Sequence, residues 1–291
     1  MNETQGLKKS FIKELPFFLA VPALLWQVVF LYIPLVLLLY ASFLGFPESG
    51  SQGLVFTFEH YSEMFSSGYM LIIFRSCILA LVTATMCAFF AYPIAYYLAF
   101  TGRRFKNTLF FFLMIPFWTS LIVQVYAWLF VLGRDGLLNS LFMKLGIISQ
   151  PLHLLHTHFA IYLGMLYCYV PFMVLPIYAV LEKFDMRLLE ASADLGASTY
   201  QTFMRVIFPL SSSGIKTGFF LVFVPAFGEF VIPAILGGGK QLYVGSLISH
   251  YFLARDVWAG SAFTWLSGLV LIGCVLLVQL LFRFIFKSRK G

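Results

Sequence analysis

Glu229 is the only charged side chain in the apolar stretch 217–239. A carboxylate at hydrocarbon depth is costly, so it marks a functional position by default. Two prolines bracket it. Pro225 cannot donate to the carbonyl of Leu221, and Pro233 cannot donate to the carbonyl of Glu229 itself. A carboxylate and a freed carbonyl thus arise at one residue, a pairing that suits a cation with several N–H donors. Aromatic faces complement a cation, and Phe230, Trp118 and Tyr126 are the candidates. Trp118 and Tyr126 lie about 80° apart around a helix. Ser120, Gln124 and Trp128 form a competing stripe, and periodicity does not choose between the two. The other role open to Glu229 is a hydrogen-bonded carboxyl that fixes helix packing.

Other chemistry is sparse. His153, His156 and His158 invite a metal reading, but no carboxylate or thiol lies nearby in sequence. Spacing alone does not make a closed ligand set, so no metal is expected there. Cys77, Cys87, Cys168 and Cys274 all fall in apolar stretches and read as small packing residues. Gly237-Gly238-Gly239-Lys240 is not a phosphate-binding loop, because Ala234 stands where the first glycine is required and Gln241 replaces the hydroxyl residue. With no nucleophile–base pair evident, the chain is expected to be non-catalytic and to carry no cofactor.

The elements that position these residues follow from composition. Of the 291 residues, 61% are hydrophobic and 11% charged, against about 25% charged in soluble domains. That excludes a soluble enzyme, a disordered chain and a disulfide scaffold. The net charge of +7 comes from short clusters between apolar runs, so nucleic acid is not an expected partner and membrane lipid is. Six stretches reach membrane-spanning length: 15–46, 76–102, 107–133, 159–181, 217–239 and 257–282. They lack the alternation of a membrane barrel, which predicts an all-α membrane protein. The first is too long for a cleaved signal peptide. Residues 1–291 are expected to form a single transmembrane domain.

Orientation follows from the basic residues. Lys8, Lys9, Lys13, Arg103, Arg104, Lys106, Lys183, Arg187, Arg205, Lys216, Arg283, Lys287, Arg289 and Lys290 fall on one side, and only Arg75, Arg134, Lys144, Lys240 and Arg255 on the other. Both termini are therefore expected in the cytoplasm, with 182–216 as the long inner loop.

That loop runs Glu190-Ala191-Ser192-Ala193-Asp194-Leu195-Gly196, then continues to Val206-Ile207-Phe208-Pro209. Gly196 is placed to end a short helix. Ser198 and Gln201 stand at capping-box distance to begin another, which Pro209 is expected to stop. Phe203, Val206 and Ile207 share a face that lipid does not cover, a surface that calls for a partner. The pattern resembles the cytoplasmic motif of bacterial ABC-importer permeases: Glu-Ala-Ala, three residues, Gly, nine residues, then Ile, one residue, Leu-Pro. Ser192, Val206 and Phe208 depart from it by modest changes of side chain. The resemblance runs from about Arg75 to the C-terminus and more loosely over the first helix. It is nearest to the polyamine permeases, through Pro116-Phe117-Trp118-Thr119-Ser120, through 169–176 (Tyr-Val-Pro-Phe-Met-Val-Leu-Pro), and through Glu229-Phe230-Val231-Ile232-Pro233. The last stretch looks most like the putrescine type. Val257 interrupts an Arg-Asp-Trp run common in that branch, so Arg255 and Asp256 are assigned no role.

The resemblance implies a type I ABC-importer permease fold in the bacterial inner membrane. Glu190, Ala191, Ser192, Gly196, Val206, Phe208 and Pro209 would belong to the helix that docks on an ATP-binding subunit. The implied partners are two ATP-binding subunits, a second homologous permease and an extracytoplasmic polyamine-binding protein. The implied cargo is putrescine, spermidine or both, passing Glu229, Phe230, Trp118 and Tyr126. Ferric iron, thiamine or a phosphonate on the same architecture is the alternative, followed by an ion-coupled secondary transporter using Glu229. The latter leaves the inner helix–turn–helix unexplained.

Overall fold

The computed structural model describes residues 21–45, 54–65, 67–101 and 105–287. Lys8, Lys9, Lys13, Arg103, Arg104, Arg289 and Lys290, on which the expected orientation leans, lie outside the described residues, as do both ends of the first expected span and Gly102. In chain order the helices are α1 (Val21–Ala41), α2 (Glu59–Met64), α3 (Ser67–Tyr96), α4 (Lys106–Trp118), α5 (Leu121–Leu132), α6 (Leu137–Lys144), α7 (His158–Leu181), α8 (Arg187–Asp194), α9 (Thr199–Phe227), α10 (Val231–Leu236), α11 (Val244–Leu253) and α12 (Val257–Lys287). Among the described residues, six stretches are long and apolar enough to cross a membrane: Val21–Ala41, Gly68–Phe100, Leu121–Lys144, His158–Leu181, Thr199–Phe227 and Val257–Phe284.

Two expected spans are broken. In place of one helix over 107–133, α4 ends at Trp118, Thr119 and Ser120 are extended, and α5 starts at Leu121. The Gln124 side chain fills the gap. Its amide donates to the Pro116 carbonyl at 2.7 Å and to the Thr119 carbonyl and hydroxyl at 3.1 and 2.8 Å. Carbonyls freed by the break are thereby satisfied within the chain. In place of one helix over 217–239, α9 ends at Phe227, and α10 begins at Val231 after three unwound residues. Glu229 therefore sits in a break at the end of a span rather than inside a helix. Pro225 is accommodated within α9, whereas Pro233 lies in α10 and withholds the donor that would continue the helix past Glu229.

Pro209 does not stop its helix. The turn before it widens into a π turn over Phe203–Ile207, with the Phe208 N–H reaching the Phe203 carbonyl five residues back. The extra residue makes room for the proline ring, so the helix runs on from Thr199 to Phe227. Pro34 in α1 is treated the same way, after a π turn at Val28–Tyr32.

The described residues group into two compact units. In the one made from positions 67–250 and 267–287, α3, α7 and α9 pack pairwise as the core. Ala80, Ala84, Cys87, Ala91 and Ala95 form a fully buried small-residue seam on α3. On α9, a Cβ at Gly214 would sit 2.7 Å from the Pro176 carbonyl oxygen, and one at Gly218 2.6 Å from the Met173 sulfur. Helix association in lipid relies on such close backbone approach, since apolar burial gives no driving force there. The other unit holds α1, the antiparallel pair Leu44–Gly45 with Val55–Phe56, α2 and residues 251–266. Tyr61 donates to the Ser42 hydroxyl at 2.8 Å, and the Asp256 carboxylate caps α12 at the Ala259 N–H.

Candidate functional site

The inner helix–turn–helix is built as its sequence predicts up to Gln201. Helix α8 ends with Gly196 at φ +75°, the Gly196 N–H on the Ala193 carbonyl and the Ala197 N–H on the Ser192 carbonyl. This paired closure needs the left-handed residue that glycine supplies. Ser198 and Gln201 then cap α9 reciprocally. Ser192, a departure from the motif's alanine, is buried and ties the two helices together. Its hydroxyl donates to the Leu189 carbonyl at 2.8 Å, so the Thr202 hydroxyl, 2.9 Å away, donates to it. Sequence reading missed this pair, since the hydroxyls lie ten residues apart on different helices. Glu190, Ala191 and Gly196 are exposed, while Val206, Phe208 and Pro209 are half-buried. Leu195 and Tyr200 stand 88% and 70% exposed beside them, an apolar surface that the described residues leave uncovered.

The two helix breaks meet at one cavity of about 390 Å³, lined by residues including Phe117, Gln124, Cys168, Tyr169, Phe172 and Glu229. Helix α7 supplies Cys168, Tyr169 and Phe172, and the Cys168 thiol donates to the Gln124 carbonyl oxygen at 3.3 Å. Both oxygens of the half-buried Glu229 carboxylate are hydrogen-bonded. One oxygen accepts the Tyr169 hydroxyl at 2.9 Å; the other accepts the N–H groups of Phe230, Val231 and Ile232 at 3.1, 2.9 and 3.5 Å. Glu229 thus caps α10 from the unwound segment, where the exposed N–H groups favour negative charge. Among the described residues no basic side chain pairs with it. Trp118, Tyr126 and Phe230 are 69%, 51% and 45% exposed and lie outside the cavity lining. Gln124, from the competing stripe, is inside it. What sequence reading lacked was the break at Thr119–Ser120, which turns the two halves of that stretch independently.

At the inner end, Lys106 and Glu182 form an ion pair at 2.9 Å. Hydrogen bonds from Tyr178 and then Lys106 hold the Glu182 carboxyl below its ordinary range. Hydrogen bonding with Tyr178 and Glu182 holds Lys106 above its own. At the other end, His156 and His158, but not His153, line a small pocket with Lys240 and Gln241. Among the described residues no group of three or more His, Cys, Asp or Glu side chains is placed to hold a metal.

Broken spanning helices around a largely apolar cavity that holds one carboxylate, with an exposed helix–turn–helix at one end, are the architecture of a membrane-spanning transport subunit. The fold is that of ABC-importer permeases. A bacterial alginate ABC transporter in complex with an alginate-bound periplasmic protein matches with a TM-score of 0.74 at 16% identity, covering 96% of this chain and 98% of that one. The inward-facing methionine transporter MetNI matches at 0.51 and 16% identity, over 77% of this chain and 99% of that one. Residues 91–291 match the family described as binding-protein-dependent transport system inner membrane component, and the chain belongs to that family. It is 36% identical to the spermidine/putrescine transport system permease protein PotB of Haemophilus influenzae, over 91% of each chain. The PotB of Escherichia coli is likewise 36% identical, over 87% of this chain and 92% of that one. The inner membrane ABC transporter permease YdcU of Escherichia coli is 32% identical over 80% of this chain and 78% of its own.

Proposed function

We propose that the chain is half of the translocation pore of an ATP-driven importer for polyamines, putrescine or spermidine or both. Residues 1–291 act as one permease domain with both termini in the cytoplasm. A second homologous permease completes the pore, two ATP-binding subunits hydrolyse ATP, and an extracytoplasmic binding protein delivers cargo. The observation that carries this reading is the Glu229 carboxylate in the cavity between the helix breaks, without a basic partner among the described residues. The names of the relatives at 36% identity support the cargo class; fold alone does not fix it.

The geometry suggests how cargo and ATP communicate. An arriving ammonium group takes the Glu229 oxygens by charge-assisted hydrogen bonds. It therefore competes with Tyr169 and with the N-terminal N–H groups of α10 for the same lone pairs. Cargo binding loosens the cap that fixes the unwound segment. At its other end that segment joins α9, whose 29 residues reach back to the inner helix–turn–helix, a rod of about 44 Å. Movement of Glu190 to Gly196 with the ATP-binding subunits is carried along α9 to the cavity. Trp118, Tyr126 and Phe230, exposed on this chain, are available to the second permease as the remaining walls of the pathway.

The test is uptake of labelled putrescine and spermidine in transport-deficient cells expressing the chain with its partner subunits, with and without the ATP-binding subunit. Uptake that needs that subunit is expected. Uptake that persists without it would point to an ion-coupled transporter instead.

A further inference from the structure

The Gly237-Gly238-Gly239-Lys240 run leads out of α10 into a pocket of about 120 Å³ formed with the segment that precedes α7. Its walls are held by several independent constraints. His156 adopts φ +58°, unusual for a residue with a Cβ, and its N–H is bonded to the Leu236 carbonyl at 2.8 Å. Strained backbone of this kind persists only where surrounding structure fixes it, and it concentrates at binding sites. The His156 ring lies over Gly238 so closely that a Cβ there would meet Nδ1 at 2.3 Å. Gly237 is equally confined, by the Pro233 carbonyl and Ile161. Across the pocket the Tyr243 hydroxyl donates to Gln241 Oε1 at 3.2 Å, which leaves the Gln241 amide to donate to His158 Nε2 at 2.9 Å. The polar groups lining the pocket are Thr157, Gln241, His156, His158 and Lys240; the Gln241 amide and His158 Nε2 are engaged with each other, and Lys240 is the formally charged group in the lining. Among the described residues none of His156, His158 and Lys240 has an acidic partner.

The Lys240 ammonium repels a polyamine, and the pocket's volume suits a single carboxylate-bearing side chain. We infer that the His156–His158–Lys240 pocket receives an acidic side chain of the extracytoplasmic binding protein when it docks. The inference rests on the orientation and partner proposed above, which put residues 134–158 and 240–256 on the outer face. Docking at this pocket also has a direct route to the cavity. The loop that holds it is the C-terminal continuation of α10, and α10 is the helix that Glu229 caps. Seating a carboxylate between Lys240 and His156 pulls on that helix from the end opposite its cap.

The test uses the assembled transporter in nanodiscs and its fluorescently labelled binding protein, with the dissociation constant measured at about 50 and about 300 mM salt. Wild-type docking should weaken with salt. Lys240→Glu should weaken it about tenfold at low salt and flatten the salt dependence, as expected when one close charge pair is reversed. Gly238→Ala keeps every charge but drives a methyl into the His156 ring, and it should weaken docking without flattening the salt dependence. Intact complex on size exclusion keeps either result from reflecting misfolding. Wild-type-like affinity, within about twofold, in both variants overturns the inference while leaving the transporter assignment standing. A wild-type complex that binds no binding protein at either salt overturns the partner assignment and this inference together.

Discussion

Glu229 answers two chemical demands with one side chain. Its carboxylate closes the N-terminus of α10 and accepts from Tyr169, and it is the acidic group facing the cavity. The two roles separate by substitution. Glu229→Gln keeps an oxygen that can accept the α10 N–H groups but removes the charge. It should raise the cargo KM about tenfold or more with the complex intact, as loss of a charge-assisted contact implies. Glu229→Ala also removes the cap, worth about 1 kcal/mol, and should in addition lower the melting temperature of the complex. Equal melting of the two variants would contradict the cap. The Lys106–Glu182 pair makes the opposite prediction. The carboxylate's contribution is present above its unfolded pKa of about 4.5 and fades as pH falls through the lowered folded value. The ammonium's is present below 10.5 and fades as pH rises through the raised one. Between those limits the pair is fully charged and solvent-screened. Thermal stability should therefore show no step from it across the neutral range, and Lys106→Gln should move the melting temperature little. At this scale Glu229 was legible, because a lone acid in an apolar run has few explanations. Gln124 was legible only within one of two competing stripes and Tyr169 only within a stretch resembling the polyamine permeases, since an amide and a phenol in a helix declare no role until a break gives them carbonyls or a carboxylate to bond.

At the scale of elements, the inner loop shows how local signals can be read and how they fail. Gly196 and the Ser198–Gln201 box act where local chemistry decides, and both are formed as their spacing implies. Pro209 fails as a stop signal because a helix can absorb a proline by widening one turn, provided tertiary packing rewards continuity. Ile207, Ser211, Gly214 and Ile215 are buried on the faces that follow. Pro209→Ala restores the missing N–H and permits an ordinary turn. That would rotate the helix N-terminal to it, and α8 with it, relative to the span. Uptake should fall severalfold while the complex still assembles; unchanged uptake would show that the π turn does not set the register between α8 and the cavity. Gly196→Leu forces a branched side chain onto φ +75°, where space is open but the backbone is strained. It should cost at least about 1 kcal/mol, measured as loss of the ATP-binding subunit in pull-down. The breaks in the third and fifth expected spans were invisible to hydropathy, which scores Thr119, Ser120 and Gly228 by polarity and not by backbone direction.

For the whole molecule, composition was enough for the membrane class, because 11% charged residues cannot solvate a soluble surface of this size. The number of spans followed from the lengths of the apolar stretches. What composition could not give is how much of the chain is built for other chains. None of the 18-residue apolar window in Val21–Ala41 is buried, and Leu195 is almost wholly exposed at the end of α8. On the proposed function, those surfaces would be covered by lipid, the second permease and the ATP-binding subunits. On the same proposal, α9 ties an ATP-driven movement at Glu190 to cargo passage at Glu229. The direct measurement is labelled polyamine uptake and ATP hydrolysis, recorded together in proteoliposomes holding the reconstituted transporter and its binding protein. Comparison is made among wild type, Glu190→Lys and Glu229→Gln. Glu190→Lys is expected to lose uptake together with binding-protein-stimulated hydrolysis, whereas Glu229→Gln is expected to lose uptake at low cargo concentration and retain assembly. Uptake in Glu190→Lys at the wild-type rate, or uptake by wild type without ATP, would contradict that coupling.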